Sequence, residues 1–304
     1  MGTTRITQGI LVQRALINLQ RQSVRILDLQ TQLASGQRVN APSDDPVDAR
    51  RAMNARAIIA ENEQYLRNIS STGPRLEETV TSLQTVSDRI LRLRELTLKG
   101  ANGTNDQNTL NIIAQEVNQI LEGLVNTANH QTNGAYIFAG TRTRTPAYSV
   151  TRDVNGNITA VTYDGNNEDI QVQIGDNTRL VVNEKGSEVF QGAQDLFQTV
   201  IDIRDNLLAG DQNSLQNARL TELEALRQQM GQGIARVGAI QNRFSASEAE
   251  LEDFQVQLKS VLSDAIDADF ADVIINLNAQ SNAFQAALNA ASRVIQPSLL
   301  DFIR

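Results

Sequence analysis

LASGQRVNAPSDDP, residues 33–46, packs a glycine, two prolines, an asparagine and two aspartates between two apolar-periodic segments. How it stops one helix and starts another decides how the chain on either side is read. Gly36 follows the last apolar turn of an N-terminal segment whose stripe is Val12, Leu16, Leu19, Ile26 and Leu33. It suits the left-handed residue that closes many helices. Pro42 biases Ala41 toward extended backbone. Asp45 is placed to cap a second helix, with Pro46 at its first position and Asp48 in its first turn, where a carboxylate meets the positive end of the helix dipole. With Gly36, Asn40, Pro42, Asp44, Asp45 and Pro46 as its turn-forming residues, the stretch predicts an inter-domain joint. It would link an N-terminal helix and linker (1–45) to a helical body.

Outward from the joint, the strongest periodicity lies in the C-terminal half. From Leu223, steps of three and four reach Leu226, Met230, Gly233, Val237, Ile240, Phe244, Ser247, Leu251, Phe254, Leu258, Val261 and Ala265. That is a sustained heptad seam, with Gly233 and Ser247 as its weak points. Leu76, Leu83, Val86, Ile90 and Leu93 form a second stripe. Leu110, Ile113, Val117, Ile120 and Leu124 form a third, opened by a capping box of Thr104 and Gln107. A shorter helix is expected from Val189 to Leu208, and Gly73-Pro74 is expected to break or kink the helix that contains it. Each stripe is too narrow for a fully buried helix, so the helices must bundle.

Near the C-terminus, Ile274, Leu277, Phe284, Leu288, Ala291 and Ile295 repeat the character of the N-terminal stripe. Neither terminal stripe has an apolar neighbour nearby in sequence, so each is expected to pack on the other. Between Asn133 and Gly186 the period drops from 3.6 to 2. YSVTRDVNGNITAVTY (148–163) reads as a hairpin with a type I′ turn at Asn155-Gly156; IQVQI (170–174) alternates cleanly, and RLVVN (179–183) follows after a turn. The expected fold is mainly α: paired terminal helices, a helical bundle and a small β-rich insertion. Its segments are 1–45, 46–132 (first helical part), 133–187 (insertion), 188–263 (second helical part) and 264–304, which pairs with 1–35.

Composition narrows the function. Aromatic residues make up 4% of the chain and Trp is absent, which suits long helices meeting along narrow seams. A net charge of −8 with no basic run gives no surface for nucleic acid. No cysteine is present, so disulfide and thiolate chemistry are excluded. No apolar run approaches the roughly 18 residues of a membrane span. The start MGTTRITQGILVQRAL lacks the apolar core and cleavage site of a conventional secretory signal.

Catalysis finds little footing. His130, the one histidine, falls at a helix end, where a capping or surface role is the ordinary one. GQGIARVG (231–238) carries Arg236 where a dinucleotide loop needs its third glycine, and it lies in the heptad segment rather than after a strand. Asp264, Asp267, Asp269 and Asp272 lack a ligand loop, and helical spacing scatters them. Asp153, Asn155 and Asn157 are explained by the hairpin, with Ile158 where a calcium loop needs glycine. The chain is therefore read as a non-enzyme with no catalytic residue, cofactor or metal site.

RITQG (5–9), LQTQLASGQRVNAPSDDP (29–46), RLRELTLKGANGT (92–104), RVGAIQNRF (236–244), DAIDADFADVI (264–274) and QAALNAASRVIQPSLLDFI (285–303) resemble the terminal blocks of bacterial flagellins and their relatives. They cover both helical arms. Within that family, the start RITQGILVQRAL, the entry NGAYIFAGTRTRTPAY (133–148) and the ending SLLDFIR resemble the branch that joins hook to filament rather than the filament-forming branch. The resemblance implies terminal helices paired as a coiled coil in an axial core, a rod-like helical domain and an outward β insertion. It implies self-assembly into a ring through the two terminal stripes, and contacts with a second junction protein and with flagellin. It also implies an export chaperone and unfolded export through the flagellar type III apparatus to the cell exterior. From flagellin, an innate-immune receptor surface would carry over to Arg92 and Leu96, which otherwise read as a subunit-contact patch. The alternatives are a filament-forming flagellin, or an adhesin or ligand-binding module whose insertion presents Tyr148 and Tyr163.

Overall fold

The computed structural model describes residues 8–295, with side chains at 10 and 12–292. The quoted blocks at 5–7 and 296–303 and the side chain of Ile295 lie outside the described residues. Contacts divide the chain into two compact units, Met1–Glu61 with Asp253–Arg304, and Asn62–Glu252.

The first unit begins with α1 (Gln8–Ser35), which packs along α8 (Phe270–Ile295). Gly36 closes α1 at φ +72° and donates to the Gln32 carbonyl at 2.9 Å. Start of α2 (Pro46–Gly100) falls at Pro46, where the Asp45 carboxylate accepts from the N–H groups of Val47 and Asp48 at 3.0 and 3.1 Å. Val39, Ala49 and Ala52 bury themselves against Ala265 and Ile266 at the end of α7 (Leu220–Ile266).

In the second unit, α2 runs through Gly73-Pro74 as one helix, contrary to the expected break. Pro74 lacks the N–H that would reach the Ser70 carbonyl. Flanking residues Ile69 and Leu76 are both buried in one cluster with Val237 and Phe244 of α7, and this tertiary packing holds the helix through the defect. The cap of α3 (Gln107–Ala128) also differs from expectation. Asp106 accepts from Thr109 N at 3.0 Å, while Thr104 sits in the preceding turn bonded to Asn102. The helix expected over 189–208 is split into α4 (Gly186–Val189) and α5 (Leu196–Ala209), because Asp195 caps α5 through Gln198 N. A three-residue turn α6 (Gln212–Ser214) and a π-helical turn (Leu215–Arg219) then lead into α7.

The seam of α7 holds from Leu223 to Ser247, and Gly233 is a close approach: a Cβ there would lie 3.3 Å from Leu83 Cδ1. Beyond Leu251 the inward residues become Gln255, Leu258, Leu262 and Ala265, so Phe254 and Val261 are exposed rather than on the seam. Two successive steps of four (247, 251, 255) shift the phase, as a stutter does.

Three antiparallel hairpins form the insertion: β1 (Gln131–Thr132) with β2 (Ala135–Tyr136), β3 (Tyr148–Arg152) with β4 (Ile158–Tyr163), and β5 (Gln171–Gly175) with β6 (Thr178–Val181). The β3–β4 turn is not type I′. Gly156 has φ +87° while Asn155 does not have positive φ, and Asp153 Oδ1 accepts from the N–H groups of both Asn155 and Asn157 at 2.8 Å. An extra loop residue and the register shift at Arg152 fit a turn followed by a glycine bulge. The insertion shares the main core: its Phe138, Tyr148 and Ile158 are buried in one cluster with residues of α2, α3, α5 and α7. Tyr148, expected as an exposed aromatic, is 2% exposed, with its ring 4.9 Å from Phe197 and 5.2 Å from Tyr163. Burial, with the neighbouring Tyr163 and Asp195 adding to it, pushes its hydroxyl far above the ordinary tyrosine pKa.

Candidate assembly surface

Both faces of α1 carry a heptad pattern, and they differ in kind. The inner one is Val12, Ala15, Leu19, Gln22, Ile26, Leu29 and Leu33, all half-buried. On α8, Val273, Leu277, Gln280, Phe284, Ala287 and Ala291 repeat the same steps of four and three and are buried or half-buried. Alternating three-and-four spacing on two paired helices is the geometry of a coiled-coil seam. Seven of the expected terminal-stripe residues lie on these seams: Val12, Leu19, Ile26, Leu33, Leu277, Phe284 and Ala291. The other three with described side chains do not. Leu16 is 51% exposed, and Ile274 and Leu288 are 46% and 45% exposed. One strand of polarity is built in, since Gln22 Oε1 is buried with no hydrogen-bond donor among the described residues.

The joint is organised by a residue that sequence reading passed over. Arg38 donates through Nη2 to Asp48 at 2.6 Å and to the Ala265 carbonyl at 2.9 Å, and its Nη1 lies 3.5 Å from Asp45. It therefore ties the start of α2 to the end of α7. Backbone bonds add to this: Arg38 N donates to Ile266 O at 2.6 Å and Ala268 N to Gly36 O at 2.9 Å. Asp44 Oδ2 accepts from the N–H groups of Asn40 and Ala41, and the Asn40 amide donates to Gln37 O at 2.9 Å. Pro42, exposed between them, has no N–H to satisfy. The backbone N–H of Asp48, then that of Val47, and the Arg38 guanidinium hold the Asp45 carboxyl below the usual carboxylate range. All six joint residues lie within the first unit, bridging α1, α2 and the α7–α8 turn. A signal for Arg38 existed in the sequence: a lone cation amid three aspartates at short range. Its partner carbonyl, 227 residues away, was not legible.

Arg92 sits on the surface of α2, where Nε and Nη2 donate to Glu116 of α3 at 2.8 and 2.7 Å and Nη1 to Glu95 at 2.9 Å. Leu96, the other half of the expected surface pair, is only 3% exposed and belongs to the core. Four residues on from Arg92 is the same helical face on average, but Leu96 turns into the core cluster that includes Leu93, Leu110 and Ile113. His130 Nε2 lies 2.7 Å from Glu78 and lines a polar groove of about 320 Å³ with Arg89 and Asn126. Among the described residues, no three His, Asp or Glu side chains are grouped as metal ligands, and no helix is long and apolar enough to cross a membrane.

Outside the seams, large apolar side chains stay uncovered on both terminal helices: Ile10, Ile17, Val24 and Leu27 on α1, and Phe270, Ile274, Ile275 and Leu288 on α8. Terminal helices paired through one face, apolar on others, and joined to a helical body with a small β insertion define a flagellin-like fold. Known proteins agree. The models of the bacterial flagellin N-terminal and C-terminal helical regions match residues 6–143 and 220–303. The chain belongs to the bacterial flagellin family. It is 31% identical over 162 residues to flagellar hook-associated protein 3 of Escherichia coli (strain K12), covering 52% of this chain and 48% of that protein. The flagellin of Salmonella muenchen is 32% identical over 114 residues, covering 37% of this chain and 23% of that protein. The alignment with the E. coli relative spans about half of its length. A solved structure described as a flagellar hook-associated protein of Vibrio parahaemolyticus shares the fold at TM-score 0.66 and 19% identity, over 74% of this chain and all of that one.

Proposed function

We propose that the protein is a structural part of the bacterial flagellum that joins hook to filament, assembling with itself through its terminal helices. The observation that carries this reading is the longer alignment with the hook-associated protein, 162 residues against 114 for the flagellin. The uncovered apolar residues on α1 and α8 support self-assembly, because exposed apolar stripes on paired helices mark contact surfaces. The seam residues hold α1 to α8, and Leu16, Ile274 and Leu288 face neighbouring copies. In this reading the joint residues 36–46 link the assembling core to the helical body. The subunit meets a second junction protein on one side and flagellin on the other, outside the cell. It arrives through the flagellar type III export apparatus, with a chaperone covering the C-terminal helix until then. Arg92, paired with Glu116, forms part of a subunit contact on the helical body. The role is mechanical, with no catalysis and no cofactor.

Deleting the gene and viewing cells by electron microscopy tests the proposal. Hooks without filaments, with flagellin lost to the medium, are the expected result, and complete filaments overturn it. The filament-forming reading predicts instead loss of the filament's own major subunit. Removing about 40 residues from either end should abolish assembly.

A further inference from the structure

The outer face of α1 carries a second repeat that the pairing with α8 does not use. Ile10, Arg14, Ile17, Arg21 and Val24 follow one another at steps of four and three, so large apolar residues alternate with arginines along one stripe. Ile10, Ile17 and Val24 are exposed, Val24 at 57%. A groove of about 660 Å³ runs here, lined by Ile17, Gln20, Arg21, Gln22, Val24 and Arg25. Neither Arg21 nor Arg25 forms an ion pair with any described residue. On α1 the described charges are Arg14, Arg21 and Arg25 against Asp28 alone.

The complementary surface lies in the same unit. At the turn from α7 to α8, Asp264, Asp267, Asp269 and Asp272 fall within nine residues, all exposed, beside the exposed Phe270, Ile274 and Ile275, the last at 65%. Arg38 reaches this turn through the Ala265 carbonyl, but its ion pairs are with Asp48 and Asp45, and none of the four aspartates is ion-paired with a described residue. The turn cannot reach the groove of its own chain. It is bonded to Gly36, at the far end of α1, and ten residues of helix from Ser35 to Arg25 span about 15 Å.

We propose that the arginine-lined groove of α1 seats the acidic, apolar α7–α8 turn of a second copy of this chain. This rests on the self-assembly reading and names the contact by which one copy meets the next. Ile17 and Val24 cover Ile274 and Ile275 of the neighbour, while Arg21 and Arg25 meet its aspartates at the rim. Apolar burial holds the contact, and charge sets its register and rejects wrong alignments. The interface is heterologous: each copy offers a groove and a turn, so a row of copies extends or closes as a ring.

Sedimentation velocity on the full chain, with far-UV circular dichroism as a folding control, tests this. Two variants reverse charge on one side each: Arg21→Glu with Arg25→Glu, and Asp264→Arg with Asp272→Arg. Asp264 sits in the last turn of α7, where a cation favours the helix. Each pair should weaken association by about tenfold or more. A chain carrying all four changes should associate with itself again but not with wild type. Wild-type association in both reversed pairs, or no recovery in the four-fold variant, overturns this docking and leaves self-assembly standing. A wild-type chain that stays monomeric at every concentration and salt overturns both.

Discussion

Single residues carry strain and charge that can be removed one at a time. Tyr148 places its hydroxyl in the core with no hydrogen-bond partner among the described residues, and such a buried orphan costs about 1–3 kcal/mol. Tyr148→Phe is therefore expected to hold or raise the melting temperature; a clear fall in a thermal melt would show that the hydroxyl is satisfied. Arg204 is the opposite case. It is buried, with Nη1 donating to Ile158 O at 2.7 Å and Asn118 Oδ1 at 3.2 Å, and it ties β4 to α5 and α3. Arg204→Ala should destabilise by about 2–3 kcal/mol, read as a lower urea midpoint, because it leaves that carbonyl and amide unpaired. Asp45 adds a pH dependence. Its carboxyl is held below its ordinary range in the folded chain, so its contribution is present above the unfolded-state pKa and drains away as pH falls through the depressed value. Asp45→Asn keeps a competent cap but removes the charge. Hydrogen exchange in the first turn of α2 should be faster than wild type near about pH 7, and the difference should shrink as pH falls through the depressed Asp45 value. A difference that persists in acid would contradict it.

Elements show where local rules yield to packing. Pro74 forgoes one helix hydrogen bond in the interior of α2, yet Ile69 and Leu76 are buried on either side of it. Pro74→Ala should raise the stability of this unit by up to about 3 kcal/mol, less whatever water supplies to the Ser70 carbonyl. A lower melting temperature would mean that the bound shape of α2 depends on the proline. Helical periodicity was legible over α3 and the first part of α7, whose stripes fall on buried or half-buried positions; on the terminal helices it held except at Leu16, Ile274 and Leu288, which are exposed. It misled at Phe254 and Val261, where two consecutive steps of four reset the phase and only the buried Leu258 and Leu262 reveal the new one. The cap of α3 was misplaced for a related reason: Thr104 and Asp106 are both good caps, and the turn at Asn102–Asn105 decides between them.

Over the whole molecule, the two units have different support. The second has a large core of leucine, valine and phenylalanine drawn from α2, α3, α5, α7 and the hairpins. The first has a small cluster of alanines, Val39 and Ile266, plus the half-buried α1–α8 seam. Free energy from burial scales with apolar area, so the first unit should open before the second. Hydrogen exchange on the unassembled chain should show fast exchange over 8–35 and 270–292 and slow exchange around Leu83, Val117 and Leu226. Uniform protection would refute the difference. In the assembled state the first unit should gain protection, because neighbouring copies would cover Ile17, Val24 and Ile275.

By itself the sequence determined where most of the helices fall, the stop at Gly36 and restart at Pro46, the β3–β4 strands and the pairing of the two ends. These follow from spacing, capping and turn chemistry, which act within a few residues. Tertiary structure alone decided that Leu96 and Tyr148 are buried, that Arg38 clasps the Ala265 carbonyl, and that α1 keeps a second, arginine-bearing face uncovered. Each of those depends on which distant segment lies alongside, and a periodic stripe says that a face needs a partner without saying which partner takes it.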